Sequence, residues 1–374
     1  MMVNENQNQL LTIQQAAEKM KVSRQTIYAW IKSGRVKPWK TPSGRQRIVA
    51  DSLIISEVEK NPEQRVLGSE KCVVEDISDY EPIRWEPTGL KEKFWFEDKE
   101  KRWPSNDNLW LFKVGRETTG ENWAEVVSSG LCELLGLPHA EYRLARYKGK
   151  EGVITPNFAV RRTSLVLGNE LLMKIYPDYT RERSYLKRKH TLRRVLGAIG
   201  KETRLPINWE IDDGIIDAIG VFAGYLMLDA WIGNTDRHEE NWGFLRDEDH
   251  YYLAPTFDHA SSFGSHETDE RKAQRLETKD YYQGVESFVK RARSAIFLEQ
   301  TDNKPMSTLD AFKEIAERRP DAGKIWIRRM ETIGTEEIES IIGKVPSNAM
   351  SDISKKFTLA IIEENKNRLK SIDI

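Results

Sequence analysis

The sequence has few cysteines, no long apolar run and almost no net charge. Its 374 residues include two cysteines, Cys72 and Cys132, which form no metal-type cluster and are typical of a reducing compartment. No apolar stretch reaches the roughly 20 residues that a membrane helix needs, and the first residues show no secretory pattern. We therefore expect a cytoplasmic chain with no membrane partner.

The net charge of −1 conceals an uneven distribution along the chain. Between Thr12 and Val49 there are nine Lys or Arg residues and one acidic residue, Glu18. A nearly neutral chain with one strongly basic end indicates a polyanion-binding module attached to a larger part. The hydrophobic fraction of 39% and the length of 374 residues allow two or three domains.

Breaks in the pattern divide the chain into a small basic part, a strand-rich part and a helical part. Asn61-Pro62 interrupts a helical pattern, and Gly68-Ser69 marks a linker. We predict an α+β chain with a small basic domain at 1–67, followed by a two-lobed domain with a β-rich lobe at 68–160 and a mainly helical lobe at 161–374. The main predicted elements are strands at 71–77, 93–97 and 109–114, helices at 121–135 and 215–231, and a hairpin of 242–245 with 251–254.

The basic N-terminal segment has the pattern of two short helices and a hairpin. The first helix is predicted at 11–19, and Ser23 is a natural N-cap for a second helix through Lys32. The residues 41–47 predict a tight hairpin. Apolar spacing turns Ile27 and Ile31 inward, so the outward and hairpin residues expected to contact DNA are Arg24, Gln25, Tyr28, Lys32, Arg45 and Arg47.

This segment resembles the helix-turn-helix of excisionase and MerR-type proteins over about the first 55 residues. The resemblance rests on the LLTIQQAAEKMKVSRQTIYAWIKSGRV run and on the wing-like TPSGRQRI. It implies binding to an operator-like DNA site, and a two-fold site would be bound by a dimer. The alternative is a small helical domain with a solvated basic face.

A second signal lies directly after the apolar helix, in the loop that runs from Gly233 to Asn241. Asp236 and Asn241 are five positions apart, which is the spacing of the protein-kinase catalytic loop. A hairpin and then Asp258 follow. In this order Asp236 would accept the substrate proton, while Asn241 and Asp258 would bind Mg²⁺. The alternative is a polar network that only stabilises the loop.

The strand-rich part contains candidates for the ATP site. Lys113 ends an aromatic strand, and Glu125 lies one turn into the next helix, where it would orient the ammonium towards ATP. Two other glutamates of the same helix, Glu121 and Glu133, leave this assignment open. Gly89 and Lys91 precede a strand as a phosphate-covering loop, but the segment lacks a G-x-G-x-x-G motif and could equally be an ordinary turn.

From residue 71 onwards the chain resembles the HipA-like kinases. The resemblance rests on LFKVG, ENWAEVV, IGNTDRHEENWGF and APTFDHASSFG. It implies a two-lobed serine/threonine protein kinase that uses ATP and Mg²⁺ on a protein substrate with a Ser or Thr acceptor, and it raises a toxin–antitoxin or autoregulatory role. Two alternatives stay open: a DNA-binding regulator whose kinase-like domain senses nucleotide without catalysis, and a kinase that acts on a lipid or small molecule.

Overall fold

The computed structural model describes residues 10–20, 38–40, 46–49, 72–86, 91–105, 107–159, 162–179, 188–200, 203–209 and 214–374. The chain separates into two compact units, Met1–Gly68 and Ser69–Ile374. Across these described ranges, no helix is both long and apolar enough to cross a membrane.

The first unit contains one described helix and a three-stranded sheet. The helix α1 (Ile13–Met20) begins at a capping box, in which Thr12 N donates to Gln15 Oε1 at 2.9 Å and Gln15 N donates to Thr12 Oγ1 at 3.0 Å. This box explains why the helix starts two residues later than the predicted Leu11. The sheet has the order β1-β3-β2, with β1 at Leu10–Leu11, β2 at Pro38–Lys40 and β3 at Gln46–Val49.

Two strands beside the predicted hairpin at 41–47 pair with each other, and residues 41–45 between them lie outside the described residues. Strands β2 and β3 run antiparallel, with Trp39 opposite Arg47 and Lys40 opposite Gln46. Leu11 and Ala16 are buried beside them. A helix packed on a three-stranded sheet with a hairpin is the arrangement expected of a winged helix-turn-helix domain.

The second unit starts with a six-stranded sheet of order β4-β8-β9-β7-β6-β5. One of its faces is covered by aromatic side chains, among them Phe94, Phe96, Trp110 and Phe112, which form a buried cluster. Side chains alternate along a strand, so neighbouring residues of the same strands point to the other face. The strands are β4 (Glu75–Asp76), β5 (Arg84–Trp85), β6 (Lys93–Glu97), β7 (Leu109–Val114), β8 (Arg143–Tyr147) and β9 (Lys150–Pro156).

The predicted strand at 71–77 was too long. Only Glu75 and Asp76 pair in the sheet, parallel to β8. Cys72 N instead donates to the carbonyl of Lys344 at 2.8 Å, so the start of this segment forms its hydrogen bonds with a helical part of the unit. The other strands predicted in this region, at 93–97 and 109–114, have the predicted bounds.

A single helix follows β7 and lies against the sheet. The helix α2 (Glu121–Leu135) ends at Gly136, whose φ of 64° is the left-handed conformation that favours glycine at a helix end. The rest of the unit is mainly helical, with a four-stranded sheet of order β10-β12-β13-β11. Its strands are β10 (Ser164–Leu167), β11 (Thr203–Arg204), β12 (Gly243–Arg246) and β13 (Tyr251–Leu253).

Several of the remaining helices pack against one apolar helix, α5 (Ala218–Ile232), in which every residue from Gly220 to Ile232 is buried. Asp217 caps its start by accepting from Gly220 N at 2.9 Å, which explains why it begins three residues later than predicted. Gly233 ends it with a φ of 65°. The other helices are α3 (Gly168–Ile175), α4 (Leu192–Ile199), α6 (Asp269–Glu277), α7 (Val285–Lys290), α8 (Thr308–Arg318), α9 (Pro320–Thr332), α10 (Thr335–Lys344) and α11 (Asp352–Lys370).

Candidate active site

One lysine connects three parts of the second unit. Lys113 lies on β7, on the face opposite to the aromatic cluster. Its Nζ is 3.1 Å from Glu125 Oε1 on α2 and 2.7 Å from Asp258 Oδ1, which is 145 residues away in sequence. The second oxygen of Glu125 accepts from His259 N at 2.7 Å. A strand, a helix and the segment after β13 therefore meet at a single cation.

The loop that follows α5 is built on a buried ion pair. Arg237 Nε and Nη2 each donate to one carboxylate oxygen of Asp229 at 2.7 Å, and both side chains are fully buried. Asn234 Nδ2 also donates to Asp229, at 2.8 Å. This bidentate geometry fixes the guanidinium in one orientation, so Asp229, on the last turn of α5, holds the loop in place.

The two predicted functional residues of this loop lie on that framework. Asn241 Nδ2 donates to the carbonyl of Asp236 at 2.7 Å, which closes the loop. The Asp236 carboxylate is 46% exposed and has His238 Nε2 at 3.6 Å. His238 Nδ1 accepts from Glu240 N at 3.1 Å, so the histidine shapes the loop. Asp236 is thus held by its backbone while its carboxylate faces the open side.

Arg237 also ties this loop to the segment that contains Asp258. Its Nη1 donates to the carbonyl of Asn241 at 2.6 Å and reaches the carbonyl of Phe257 at 3.4 Å. Asp258 itself has a φ of 56°, in the left-handed region that Asp and Asn tolerate better than most residues, and its backbone N donates to Tyr142 Oη at 3.2 Å. Asn241 and Asp258 are therefore positioned by one guanidinium.

The charged groups around Lys113 strongly shift one another's pKa values. Burial alone would lower the pKa of Lys113, but Asp258 and Glu125 outweigh it and raise that pKa well above its ordinary value. Burial would raise the pKa of Asp258, but Lys113 holds it well below its usual range. For Glu125, burial raises the pKa to about 7; Asp258 adds to this rise and Lys113 opposes it. The dominant charge pair is therefore Lys113 with Asp258.

The pKa of the Asp236 carboxyl group is shifted in the direction opposite to that of Asp258. Its partial burial raises its pKa above the ordinary value, a charged His238 opposes the rise, and the Asp258 carboxylate adds to it. Two neighbouring carboxyl groups with pKa values moved apart are typical of acid–base sites. This arrangement can hold a cation at Asp258 and accept a proton at Asp236.

A second lysine–glutamate pair lies one helical turn before the first. Lys91 Nζ is 2.7 Å from Glu121 Oε2, and Glu121 is almost fully buried. Glu121 also accepts from Arg116 N at 2.9 Å and lies 3.1 Å from His266 Nε2. Burial would raise the pKa of Glu121, but its bonds to His266 and Lys91 lower it to about 2. Lys91 acts electrostatically on both Asp236 and Asp258.

The structure thus brings together six of the predicted residues: Lys91, Lys113, Glu125, Asp236, Asn241 and Asp258. Sequence reasoning left the choice between Glu121 and Glu125 open, and the structure pairs each with its own lysine. It missed His266 and the Asp229–Arg237 pair. The i, i+4 spacing of the two glutamates was the available signal for a shared helix face.

The other predicted residues cannot be placed in the same way. Arg47 lies on β3 of the first unit and is partly buried. The remaining predicted positions lie outside the described residues; they are Gly89 of the phosphate-covering loop and Arg24, Gln25, Tyr28, Lys32 and Arg45 of the DNA-binding segment.

Two side chains have the donor atoms that a magnesium ion prefers. Within the described ranges, the side-chain hydrogen bond of Asn241 uses only its amide nitrogen, so its oxygen is available to a ligand. Asp258 binds Lys113 through one oxygen and keeps a second. Those ranges contain no group of three or more His, Cys, Asp or Glu residues suited to a metal. The donor set fits Mg²⁺, which usually binds few carboxylates together with water and phosphate oxygens.

Comparison with known proteins agrees with this two-lobed, kinase-like fold. The family model of the HipA-like C-terminal domain matches residues 85–322, and that of a helix-turn-helix domain matches residues 10–54. The first match spans well over half of the chain. The protein therefore belongs to the HipA-like family and carries an N-terminal helix-turn-helix domain.

Individual relatives of this chain have low sequence identity to it. The serine/threonine-protein kinase CtkA of Helicobacter pylori is 28% identical over 264 residues, which cover 66% of this chain and 70% of that protein. The crystal structure of the Helicobacter pylori proinflammatory kinase CtkA matches with a TM-score of 0.61 and 22% identity, over 81% of this chain and 100% of that chain. A HipA, HipB and operator DNA complex of Shewanella oneidensis matches with a TM-score of 0.43 and 10% identity, over 100% of this chain and 76% of that chain.

Proposed function

We propose that this chain is an ATP- and Mg²⁺-dependent serine/threonine protein kinase with an attached DNA-binding domain. The observation that supports the kinase most directly is the convergence of Glu125 and Asp258 on Lys113 Nζ. Protein kinases use a strand lysine, a helix glutamate and a metal-binding aspartate in this combination. The relative named a serine/threonine-protein kinase supports the substrate class.

In the proposed reaction, the hydroxyl oxygen of a Ser or Thr attacks the γ-phosphorus of ATP. The bond from that phosphorus to the leaving oxygen of ADP breaks, and the hydroxyl proton passes to Asp236. The raised pKa of Asp236 favours this acceptance. Asn241 and Asp258 would hold magnesium, which neutralises charge on the phosphate oxygens when it is bound.

Nucleotide binding would change the partners of Lys113. In the structure its ammonium lies closer to Asp258 than to Glu125. A triphosphate would draw the ammonium away from Asp258, which frees that carboxylate for the metal. Glu125 would then be the remaining protein carboxylate beside Lys113, and its buried position on α2 keeps the lysine directed at the phosphates.

Transfer of labelled phosphate tests this proposal. The full chain, incubated with MgATP labelled at the γ-position and with lysate proteins, should label Ser or Thr residues that mass spectrometry can map. Asp236→Asn should reduce transfer by about 10²–10⁴-fold. Asp249→Asn is the matched control, because Asp249 is exposed on the hairpin turn.

The opposite results have clear meanings. Equal transfer by the wild type and Asp236→Asn would contradict the role of Asp236. Nucleotide binding without any transfer would favour the regulator that senses nucleotide. Labelling of lipid or small-molecule fractions instead of protein would favour a kinase that acts on a lipid or small molecule.

The helix-turn-helix domain supports the second half of the proposal, binding to an operator-like DNA site by a dimer. Arg47 on β3 is suited to a phosphate contact. Arg47→Gln should weaken binding to all duplexes similarly and lower the slope of log K against log salt by about 1. Fluorescence anisotropy at several salt concentrations measures this, with Arg318→Gln as a control. An unchanged slope would remove Arg47 from the interface.

Autoregulation is the finer form of this proposal. Phosphate added near a basic reading face repels the DNA backbone. DNA affinity should therefore fall after incubation with MgATP, and it should not fall in Asp236→Asn. An affinity that stays constant would separate the two activities of the chain.

A further inference from the structure

A basic pocket lies on the second unit, apart from the residues of the candidate active site. It has a volume of about 230 Å³ and is lined by Arg271, Gln274, Arg275, Tyr282, Gln283 and Arg291. Three guanidinium groups from α6 and from the end of α7 therefore surround one opening. Tyr282, which lines this pocket, is 76% exposed.

One side of the pocket is fixed. Arg275 Nε is 3.0 Å from Glu267 Oε2, and its Nη1 donates to the carbonyl of Gln283 at 3.2 Å. The guanidinium also lies 4.8 Å from the ring centre of Phe288. Arg275 is thus neutralised and held in one orientation, so it forms a wall of the pocket.

The charges of the other two arginines are not balanced by an ion pair within the described residues. Among the described residues, the side chains of Arg271 and Arg291 form no ion pair or hydrogen bond. Of the acidic residues nearby, Glu267 pairs with Arg275 and Glu286 pairs with Lys290. Asp280 accepts only from the neutral donors Tyr282 N and Gln283 Nε2, and it forms no ion pair with Arg271 or Arg291 among the described residues. The pocket therefore presents two positive charges on its rim.

We propose that this pocket binds the phosphate of a phosphorylated serine or threonine side chain. A phosphomonoester carries about −1.5 to −2 charges at neutral pH, which matches two free guanidinium groups, whereas a carboxylate carries one. Planar guanidinium groups also bind phosphate oxygens in pairs. Arg271 and Arg291 would bind the phosphate, and Arg275 would set the depth of its entry.

The position of the pocket connects this binding to the proposed kinase site. The helix α6 starts eleven residues after Asp258, and the segment between them is attached to α2 by His266 at Glu121 and by Gly120 N, which donates to Ser265 O at 2.7 Å. The phosphorylated residue belongs either to this chain after self-phosphorylation or to a protein substrate that is already phosphorylated. The proposal rests on the proposed kinase function only for the first of these sources.

Calorimetric titration without nucleotide tests the pocket. The probe is a blocked Ala-phosphoserine-Ala peptide, added to the full chain after phosphatase treatment. We expect saturable binding that Arg271→Gln with Arg291→Gln weakens by about 10-fold or more, which is about 1.4 kcal/mol. The matched control replaces two exposed basic residues of α8, Lys313→Gln with Arg318→Gln, and should bind as the wild type does.

Three results would overturn the proposal: no saturable binding, equal binding of the Ser or Glu peptide, or unchanged binding by the double variant. Arg271 and Arg291 are exposed, so thermal unfolding should show that the double variant stays folded. A further titration after incubation with MgATP identifies the source. Loss of peptide binding indicates a phosphorylated residue of the chain itself, and retained binding indicates a separate substrate; either result supports the pocket. Because the first titration needs no catalysis, its failure is distinct from failure of the kinase proposal.

Discussion

Arg237 and Lys113 are both buried cations of the second unit, but the charges around them balance differently. Arg237 faces one carboxylate, Asp229, and directs its other N–H groups to backbone carbonyls. Lys113 faces two carboxylates, Glu125 and Asp258, and one of these is 32% exposed. The first group is complete within the protein, whereas the second has two carboxyl groups for one cation, and one of them opens towards solvent.

This difference separates structural from chemical roles. A buried ion pair whose hydrogen bonds are all made by the protein holds a loop, and nothing further can bind to it. A group with excess carboxylate favours an added cation. The comparison therefore supports a framework role for Asp229 and Arg237, and it supports the proposed ligand binding by the group around Lys113.

The largest effect should come from Asp258→Asn. Loss of the carboxylate would remove the proposed metal ligand, and a loss of several kcal/mol of charge stabilisation lowers phosphate transfer about 10³-fold. The fold should persist, because Asn tolerates the left-handed φ of 56° at this position. Transfer of labelled phosphate and thermal unfolding measure the two properties. A variant that unfolds, or that keeps its activity, would contradict the assignment of this group to ligand binding.

Asp229→Asn should show the reverse pattern. Arg237 would keep its charge in a fully buried position without a carboxylate, and breaking such a pair costs about 3–5 kcal/mol of stability. Chemical denaturation followed by tryptophan fluorescence measures this, with Asp249→Asn as the control. A variant as stable as the wild type would show that the Asp229–Arg237 pair is not the framework of the loop.

A smaller effect is expected from Glu121→Gln, which tests the second lysine–glutamate pair, Lys91 with Glu121. Glutamine would remove the charge that holds Lys91 and the bond to His266. We expect KM for ATP to rise about 10-fold with a smaller change in kcat, because a positioned cation contributes about 1–2 kcal/mol to phosphate binding. Glu133→Gln, on the exposed side of the same helix, is the matched control.

A double-mutant cycle with Lys91→Met separates positioning from general damage. If Glu121 acts through Lys91, the two substitutions together should raise KM no more than either alone. Additive effects would show that Glu121 contributes by another route.

Much of the fold could be predicted from the sequence because the signals were local. The helix at 121–135 and the strands at 93–97 and 109–114 follow from periodicity and from Gly136, and the structure gives them the predicted bounds. The strand at 71–77 failed because the partner of Cys72 is Lys344, far along the chain. Such a contact leaves no periodic trace in the sequence.

The candidate site shows the same division. The spacing of Asp236 and Asn241 is a local pattern, so it could be read directly. The role of Glu121 depends on Lys91, Arg116 and His266, which come from three other segments. Arg271 and Arg291 line one pocket because α6 and α7 both pack against α11. Their functional roles all remain predictions.

The smallest effect concerns pH and the neighbour of Asp236. As the proposed base, Asp236 must be unprotonated, so activity should be lost as the pH falls through its raised pKa. A charged His238 lowers that pKa, and its removal in His238→Gln should raise it. The acid limb of kcat/KM against pH should therefore move to higher pH in this variant, while His250→Gln, a histidine of the hairpin turn, leaves it unchanged. A limb that moves to lower pH, or that moves equally in both variants, would show that a group other than Asp236 controls the acid side of the reaction.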